Sequence, residues 1–256
     1  YRLDEAGGWG EVPSLQEIIA DSSGEGNSGR RVALASTFPS AALPGRVCAG
    51  ATIPNNTLAN AISALDLGLS PGQIGKAGTI TFWYRSADAW TSSRTLFDAT
   101  TASNRSFHLT RAASGSGAVL RFVMTDSAGT RILLNSTVQT FAANTWVHIG
   151  VSWFLQPGTN QSVMQLFVNG ARVGFSRSTT TGVLHNSIAS IYFGDNRTSG
   201  VTPSDGTPTS ANGSLDEIRV YNFDASEGQV DRDRRLTRSN CSPLDHFSIE
   251  HAGEGS

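Results

Sequence analysis

The feature that most constrains this chain is an alternation of apolar and polar side chains that runs through its middle. Segments such as Thr79–Arg85, Val119–Met124 and Trp146–Trp153 place every second residue on the same face, which is the pattern of half-buried β-strands. Turn sequences separate these segments at the short intervals typical of a sandwich. We therefore predict an all-β fold, a two-sheet antiparallel β-sandwich.

The clearest turns are Asp126–Gly129 and the pair Asn169-Gly170. Asn-Gly suits a type I′ turn, so it predicts a hairpin between neighbouring strands. One short helix is expected near the C-terminus, because Asp224 and Glu227 have capping-box spacing before residues 229–236. Residues 54–75 are less regular, and within them residues 58–62 fit either a helical turn or an irregular loop.

Composition excludes some classes of function. At 256 residues and 38% hydrophobic content, the chain can build one large sandwich core. The net charge of −2, without a basic stripe, argues against a nucleic-acid partner. No apolar run reaches the roughly 18 residues that a membrane-spanning helix needs.

Several segments, in this order, carry a resemblance to a known family. The opening Tyr1–Glu5 precedes the turn sequence Asp21–Asn27, and the closing Gly213–Asn222 precedes the predicted helix. Together with the central Gly78–Tyr84 and Thr145–Gly170, they resemble laminin-G-like jelly rolls of the concanavalin A-like lectin/glucanase superfamily. The similarity runs to about residue 236. It implies a jelly roll and a recognition or adhesion module for a glycan or protein ligand.

A narrower resemblance lies around the two cysteines. Gly45–Cys48 and Cys241–Ile249 are similar to MshQ-type proteins, large secreted proteins encoded with mannose-sensitive haemagglutinin pili. This implies an extracytoplasmic, monomeric module within a larger surface protein of a Gram-negative bacterium. Residues 1–243 would form the sandwich, and residues 244–256 would be a disordered tail or the start of a following domain.

Cys48 and Cys241 are the only cysteines, and neither has the spacing of a zinc ligand. Because a jelly roll brings its terminal segments together, a disulfide between them is plausible; two unrelated buried thiols are the alternative. A bridge closing so long a loop would stabilise the fold by at most roughly 5 kcal/mol. It would also indicate a location outside the cytoplasm.

The best candidates for a pair of catalytic carboxylates are Asp216 and Glu217, which are neighbours in the closing segment. A glycosidase needs two carboxylates about 5 Å or more apart on one substrate, whereas adjacent strand residues point to opposite faces. We therefore predict a non-catalytic domain. A hydrolase or lyase of the same fold, or a structural spacer, are the alternatives. His108 and His148 lie within predicted strands, where a hydrogen-bonded structural role is favoured.

Calcium is the most credible ion, because it binds carboxylate, amide and carbonyl oxygens in flexible loops. The turn at residues 21–27 offers Asp21 and Asn27 as side-chain ligands. The family resemblance implies that the closing strand adds Asp216, at a structural rather than catalytic site. Alternatively, Asp21 makes an Asx-turn and Asp216 pairs with an arginine.

For ligand binding, Trp90 is the best candidate for an exposed aromatic, because it lies in a polar loop between Asp88 and Thr91. The alternative is that it covers the edge of the sandwich. Asp195 and Asn196 begin a long loop of Thr, Ser, Gly and Pro that extends to residue 212. Loops of this kind carry most binding functions, so both residues are candidates for ligand binding.

Overall fold

In a computed structural model, the structure describes residues 3, 18–58, 60–102, 105–200 and 209–236. These residues form two antiparallel sheets, with elements numbered in chain order. Sheet A contains, in spatial order, β1 (Ile18–Ile19), β2 (Gly29–Leu34), β5 (Ile62–Asp66), β14 (Tyr192–Phe193), β7 (Arg94–Asp98), β8 (Phe107–Ser114), β9 (Gly117–Thr125) and β10 (Arg131–Asn135). Sheet B contains β13 (Ala171–Thr180), β12 (Gly158–Val168), β11 (Trp146–Phe154), β6 (Ala77–Ser86), β15 (Gly213–Tyr221), β4 (Gly50–Ile53) and β3 (Ser40–Ala42). The helices are α1 (Pro71–Ile74) and α2 (Glu227–Arg235). The predicted two-sheet sandwich is confirmed.

The core lies between the two sheets and is rich in aromatic rings. The Phe82 ring meets Phe193 with 5.1 Å between centroids, and the Phe107 ring meets Trp153 at 5.3 Å, both edge to face. Each such pair stabilises a core by about 0.5–1.5 kcal/mol beyond the area that it buries. The strand alternation supplies these rings, because each lies on the inward face of its strand.

The predicted turns are also found. Asn169 and Gly170 have φ of 51° and 87° and join β12 to β13, as a type I′ hairpin requires. In the turn from β9 to β10, the Asp126 carboxylate accepts the backbone N–H of Ala128 at 3.0 Å and that of Thr130 at 2.7 Å. This aspartate therefore fixes the turn.

The predicted C-terminal helix is present, but its capping box is different. Ser226 and Gln229 form the box of α2, whereas the sequence pattern indicated Asp224 and Glu227. The backbone N–H of Ala225 donates to Thr79 Oγ1 at 2.8 Å, and Ala225 is buried on sheet B. Because the chain is held to the sheet up to that residue, the helix begins after it.

Residues 54–75 contain two elements that the sequence left open. Ile62–Asp66 is a fully buried strand of sheet A, and α1 is a single turn capped by Ser70. The strand shows no alternation because residues on both of its faces are buried. Its pattern therefore could not be distinguished from that of a buried helical turn.

One end of the sandwich is held by an ion-pair network around Asp88. Its carboxylate lies 2.6 Å from the Arg94 guanidinium and 3.0 Å from that of Arg111. Arg111 is fully buried and also donates to Ser86 Oγ at 2.7 Å and to the Ser92 carbonyl at 3.1 Å. Burial raises the pKa of Asp88, but hydrogen bonds from Ser86 and Arg94 outweigh it and hold the pKa well below its usual range.

Asp88→Ala should therefore lower the free energy of unfolding by about 3 kcal/mol at pH 7, because it leaves the Arg111 cation buried without its carboxylate. Urea denaturation would measure the loss. Asp224→Ala, at an exposed carboxylate, is the matched control and should change stability by less than about 0.5 kcal/mol. Equal losses in the two variants would show that the network contributes nothing.

Candidate functional site

A cleft lies between the turn formed by residues 21–27, helix α1 and the end of β15. Its volume is about 590 Å³, within the range of small-ligand sites. Its polar lining includes the side chains of Ser22, Ser23, Gln73 and Asn222. We call it the closing-strand cleft.

The turn that forms one wall is organised by Asp21. The Asp21 carboxylate accepts Ser23 N–H at 2.9 Å, the Ser23 hydroxyl at 2.6 Å and Asn27 N–H at 2.9 Å. Gly24 and Gly26, with φ of 84° and 77°, supply the left-handed backbone that the turn needs. Partial burial raises the pKa of Asp21, but these hydrogen bonds outweigh it and lower the pKa, so the carboxylate is ionised. Asp21 thus makes the Asx-turn that the sequence offered as an alternative role.

The opposite wall contains a β-bulge in β15. The pairing register with β6 shifts between Asp216 and Arg219, and Glu217 has a φ of 49°. As a result, Leu215 and Ile218 both reach the core, with the two acidic residues between them. The prediction that Asp216 and Glu217 point to opposite faces assumed an uninterrupted alternation, which the bulge interrupts. The two side chains nevertheless reach different surroundings, Asp216 the β3–β4 connection and Glu217 the cleft.

The side chains after the bulge are tied to helix α2 through Asp233. Arg219 donates to the Glu217 carboxylate and, at 3.0 Å, to the Asp233 carbonyl. The Tyr221 hydroxyl donates to Asp233 Oδ1 at 3.0 Å, and burial, followed by the negative charge of Asp233, raises the Tyr221 pKa. The Tyr221 ring lies 5.2 Å from that of Phe223, and Tyr221 gives the cleft an aromatic border.

Asp216 does not line this cleft. Its carboxylate accepts the N–H of Val47 at 2.7 Å and that of Glu217 at 2.7 Å, so it anchors the β3–β4 connection to the closing strand. Burial raises the pKa of Asp216 to about 8, and the Glu217 carboxylate acts in the same direction. Of the predicted calcium ligands, the cleft contains Asp21 and Asn27, with Glu217 in place of Asp216.

These oxygens are of the kind that calcium prefers, but most already have partners. Asp21 holds the turn, and Glu217 pairs with Arg219. Within the described ranges, no three His, Cys, Asp or Glu side chains are grouped to hold a metal by themselves. A calcium ion here would need backbone carbonyls and water to complete its shell.

The prediction that Trp90 is exposed is wrong, since only 1% of its surface is accessible. Its ring packs 4.9 Å from Phe141 and 6.3 Å from Tyr84, and the Arg111 guanidinium lies 5.6 Å from its centroid. The Asp88 network folds this loop back over the end of the sandwich. Trp90 therefore covers the edge, which was the alternative, and offers no sugar platform.

Asp195 and Asn196 are also buried, which contradicts their proposed role in a binding loop. The Asp195 carboxylate accepts Asn56 Nδ2 and the backbone N–H of Ser63, each at 2.9 Å. Asn196 Oδ1 accepts the Thr95 hydroxyl at 3.3 Å. Burial raises the pKa of Asp195 to about 6. These residues tie the segment after β14 to sheet A.

His108 and His148 are structural, but not as predicted. Neither imidazole has a hydrogen-bond partner among the residues that the structure describes. Burial, with Arg131 and Arg121 as further contributions, lowers the pKa of His108 to about 3. Burial likewise lowers the pKa of His148 to about 3. Both rings are therefore neutral at physiological pH.

The predicted disulfide stays a prediction. Cys48 lies in the β3–β4 connection, next to the Val47 N–H that Asp216 accepts. Cys241 and the segment 244–256 lie outside the described residues. In the described part of the chain, no helix is long and apolar enough to cross a membrane.

Two packed antiparallel sheets and a short C-terminal helix define the class of protein, an antiparallel β-sandwich. A sequence model of the laminin-G type, described as concanavalin A-like lectin/glucanases superfamily, matches residues 60–231, more than half of the chain. The chain belongs to this superfamily. No curated protein sequence matches it.

Solved structures share the fold at low sequence identity. Domain 4 of AbnA, a GH43 extracellular arabinanase from Geobacillus stearothermophilus solved with arabinotriose, has a TM-score of 0.61 at 17% identity, over 92% of this chain and 96% of that one. The Ruminococcus gnavus IT-sialidase CBM40 bound to α2,6-sialyllactose has a TM-score of 0.50 at 18% identity, over 72% and 96%. The binding domain of botulinum neurotoxin serotype C1 gives 0.54 at 11% identity, over 86% and 51%. Identities this low establish the shared fold alone.

The buried histidines predict a pH dependence of stability. Unfolded His108 takes up a proton below about pH 6.5, whereas folded His108 resists protonation down to about pH 3. The unfolded chain binds more protons in this window, so His108 lowers stability as the pH falls. The stability of His108→Leu relative to the unmodified chain should therefore rise by about 1.4 kcal/mol between pH 5.5 and 4.5, measured by urea denaturation.

At pH 7 the same variant should be at least as stable as the unmodified chain, because it removes buried nitrogens without described partners. His148→Leu should behave in the same way. A stability difference that does not change with pH would contradict the neutral, buried state of these rings.

Proposed function

We propose that this chain is a non-catalytic glycan-binding module that holds its ligand in the closing-strand cleft. The observation that carries the proposal is the composition of the cleft, in which hydroxyl, amide and carboxylate groups lie beside the Tyr221 ring. Sugars present many hydroxyl groups together with apolar C–H faces. A site with hydrogen-bonding groups and an aromatic border suits both parts of such a ligand.

The relatives support this choice by precedent. Two solved structures of this fold contain an oligosaccharide, arabinotriose in the arabinanase domain and sialyllactose in the sialidase module. The superfamily also contains enzymes, so the proposal that this chain is non-catalytic depends on how Asp216 and Glu217 are held. Asp216 is held by backbone N–H groups and Glu217 by Arg219. Both acidic residues of the closing strand are thus engaged in holding the fold, which does not suit the acid and nucleophile of a glycosidase.

The setting of the module is a separate proposal. The resemblance around Cys48 and Cys241 favours an extracytoplasmic location, with a disulfide between them, in a pilus-associated protein of a Gram-negative surface. A surface protein as ligand, or a spacer role, would replace glycan recognition if no sugar binds.

A glycan array followed by calorimetry on the hits would test the cleft. Asn222→Trp places bulk at an exposed lining position, so it should lower affinity for a bound glycan at least tenfold. Asn186→Trp, at an exposed asparagine outside the cleft, is the matched control and should bind as the unmodified chain does. No glycan binding by the folded chain would refute the proposal. Release of shortened sugars would refute its non-catalytic part.

We also propose that a structural calcium ion is held by Asp21, Asn27 and Glu217, because these three residues line one cleft. A ligand at 100 times its dissociation constant stabilises a fold by about 2.7 kcal/mol, so a chelator should lower the melting temperature. Glu217→Gln should abolish that shift. Asp216→Asn should retain it, because Asp216 faces the β3–β4 connection. An unmodified chain that does not respond to chelator or added calcium would contradict the site.

A further inference from the structure

The outward face of sheet B presents a set of side chains that neither the core nor the closing-strand cleft uses. Along β11, β12 and β13, Phe154 pairs with Val163, Val163 with Arg177, and Gln165 with Phe175. The residues between them, including Trp153, Met164 and Leu166, belong to the core, so these pairs lie on the other face. Neighbouring strands lie about 4.8 Å apart, so the set spans about 10 Å across three strands.

This set carries an aromatic ring that remains accessible between two cations. Phe175 is 47% exposed although the Arg172 and Arg177 guanidinium carbons lie 5.2 Å and 5.7 Å from its centroid. Both arginines are exposed, and neither is ion-paired within the described part of the chain. We call Phe154, Val163, Gln165, Arg172, Phe175 and Arg177 the outer platform.

The polar group of the platform is held in place. Arg172 donates to Gln165 Oε1 at 3.2 Å, and Gln165 Nε2 donates to Ser152 Oγ at 3.3 Å. The backbone N–H of Arg172 donates to the Glu227 carboxylate at 3.0 Å. The platform therefore lies on paired strands with a fixed amide, which keeps the entropy lost on binding small.

A simpler explanation for the charged side chains on β13 is that they prevent an edge strand from pairing with another chain, because β13 lies at the edge of sheet B. Arginines alone would serve that purpose. An exposed Phe175 beside the partly exposed Phe154 and Val163 makes the same edge more adhesive. Protection therefore explains the cations but not the apolar side chains between them.

We infer that the outer platform is a second binding surface, for polysaccharides that carry carboxylate groups. The apolar face of a sugar ring would pack on Phe175, and uronate carboxylates would pair with the guanidinium forks of Arg172 and Arg177. Gln165 would bind ring hydroxyls. Two cations are too few for tight, sequence-independent binding to nucleic acid, where many phosphates must be neutralised.

Affinity electrophoresis in gels containing polygalacturonate tests the inference, with dextran as the neutral probe. The unmodified chain should be retarded by polygalacturonate and not by dextran. Phe175→Ala should lower the affinity at least fivefold, and the double variant Arg172→Gln, Arg177→Gln at least tenfold. All three positions are exposed, so the variants should fold normally, which circular dichroism would verify.

Arg105→Gln removes one exposed arginine between β7 and β8 and is the control for losing a positive charge outside the platform. It should leave binding unchanged, as should Asn222→Trp in the closing-strand cleft. Loss of binding in Asn222→Trp alone would assign the polysaccharide to the cleft and overturn the inference. No retardation of the unmodified chain, or equal retardation of Phe175→Ala, would also overturn it, whatever the cleft binds.

Discussion

The β-bulge between Asp216 and Arg219 is the constraint on which the candidate site depends. A regular strand would direct one of two adjacent side chains into the core and the other away from it. The bulge instead directs both Leu215 and Ile218 into the core and leaves Asp216 and Glu217 between them. Asp216 then binds the Val47 N–H, and Glu217 reaches the cleft. One extra residue in the strand thus lets Asp216 anchor the β3–β4 connection while Glu217 lines the cleft.

Helix α2 makes that arrangement rigid. Its Asp233 accepts hydrogen bonds from the Tyr221 hydroxyl and from Thr81 Oγ1, while its backbone carbonyl accepts one from Arg219. The helix can approach sheet B closely because Gly150 has no side chain, since a Cβ there would lie 3.1 Å from Val230 Cγ1. A short helix with few apolar residues is therefore held by specific contacts rather than by a broad apolar face. These contacts fix the aromatic border of the cleft.

Sequence patterns correctly predicted the features that depend only on residues close together in the chain. The strand alternation and the Asn169-Gly170 turn act over a few residues, and both were confirmed. Trp90 was predicted wrongly because its environment depends on Arg111, which lies 21 residues later in the chain but stacks on its ring. The site was predicted in part. The spacing of Asp21 and Asn27 is local, whereas the exchange of Asp216 for Glu217 requires a bulge that the sequence does not mark.

The two sheets differ in what their outward faces can offer a ligand. On sheet A, Asp98 and His108 alternate with core residues and so point away from the core, yet both are fully buried. Burial raises the pKa of Asp98 to about 6 and lowers that of His108 to about 3, so each is displaced toward its neutral form. A ligand would have to displace protein atoms to reach them. On the outward face of sheet B, Phe175, Arg172 and Arg177 are exposed to solvent, and the two arginines are charged. Side chains that a ligand could contact with little rearrangement therefore lie on sheet B and at the closing-strand cleft, whereas Asp98 and His108 on sheet A are covered.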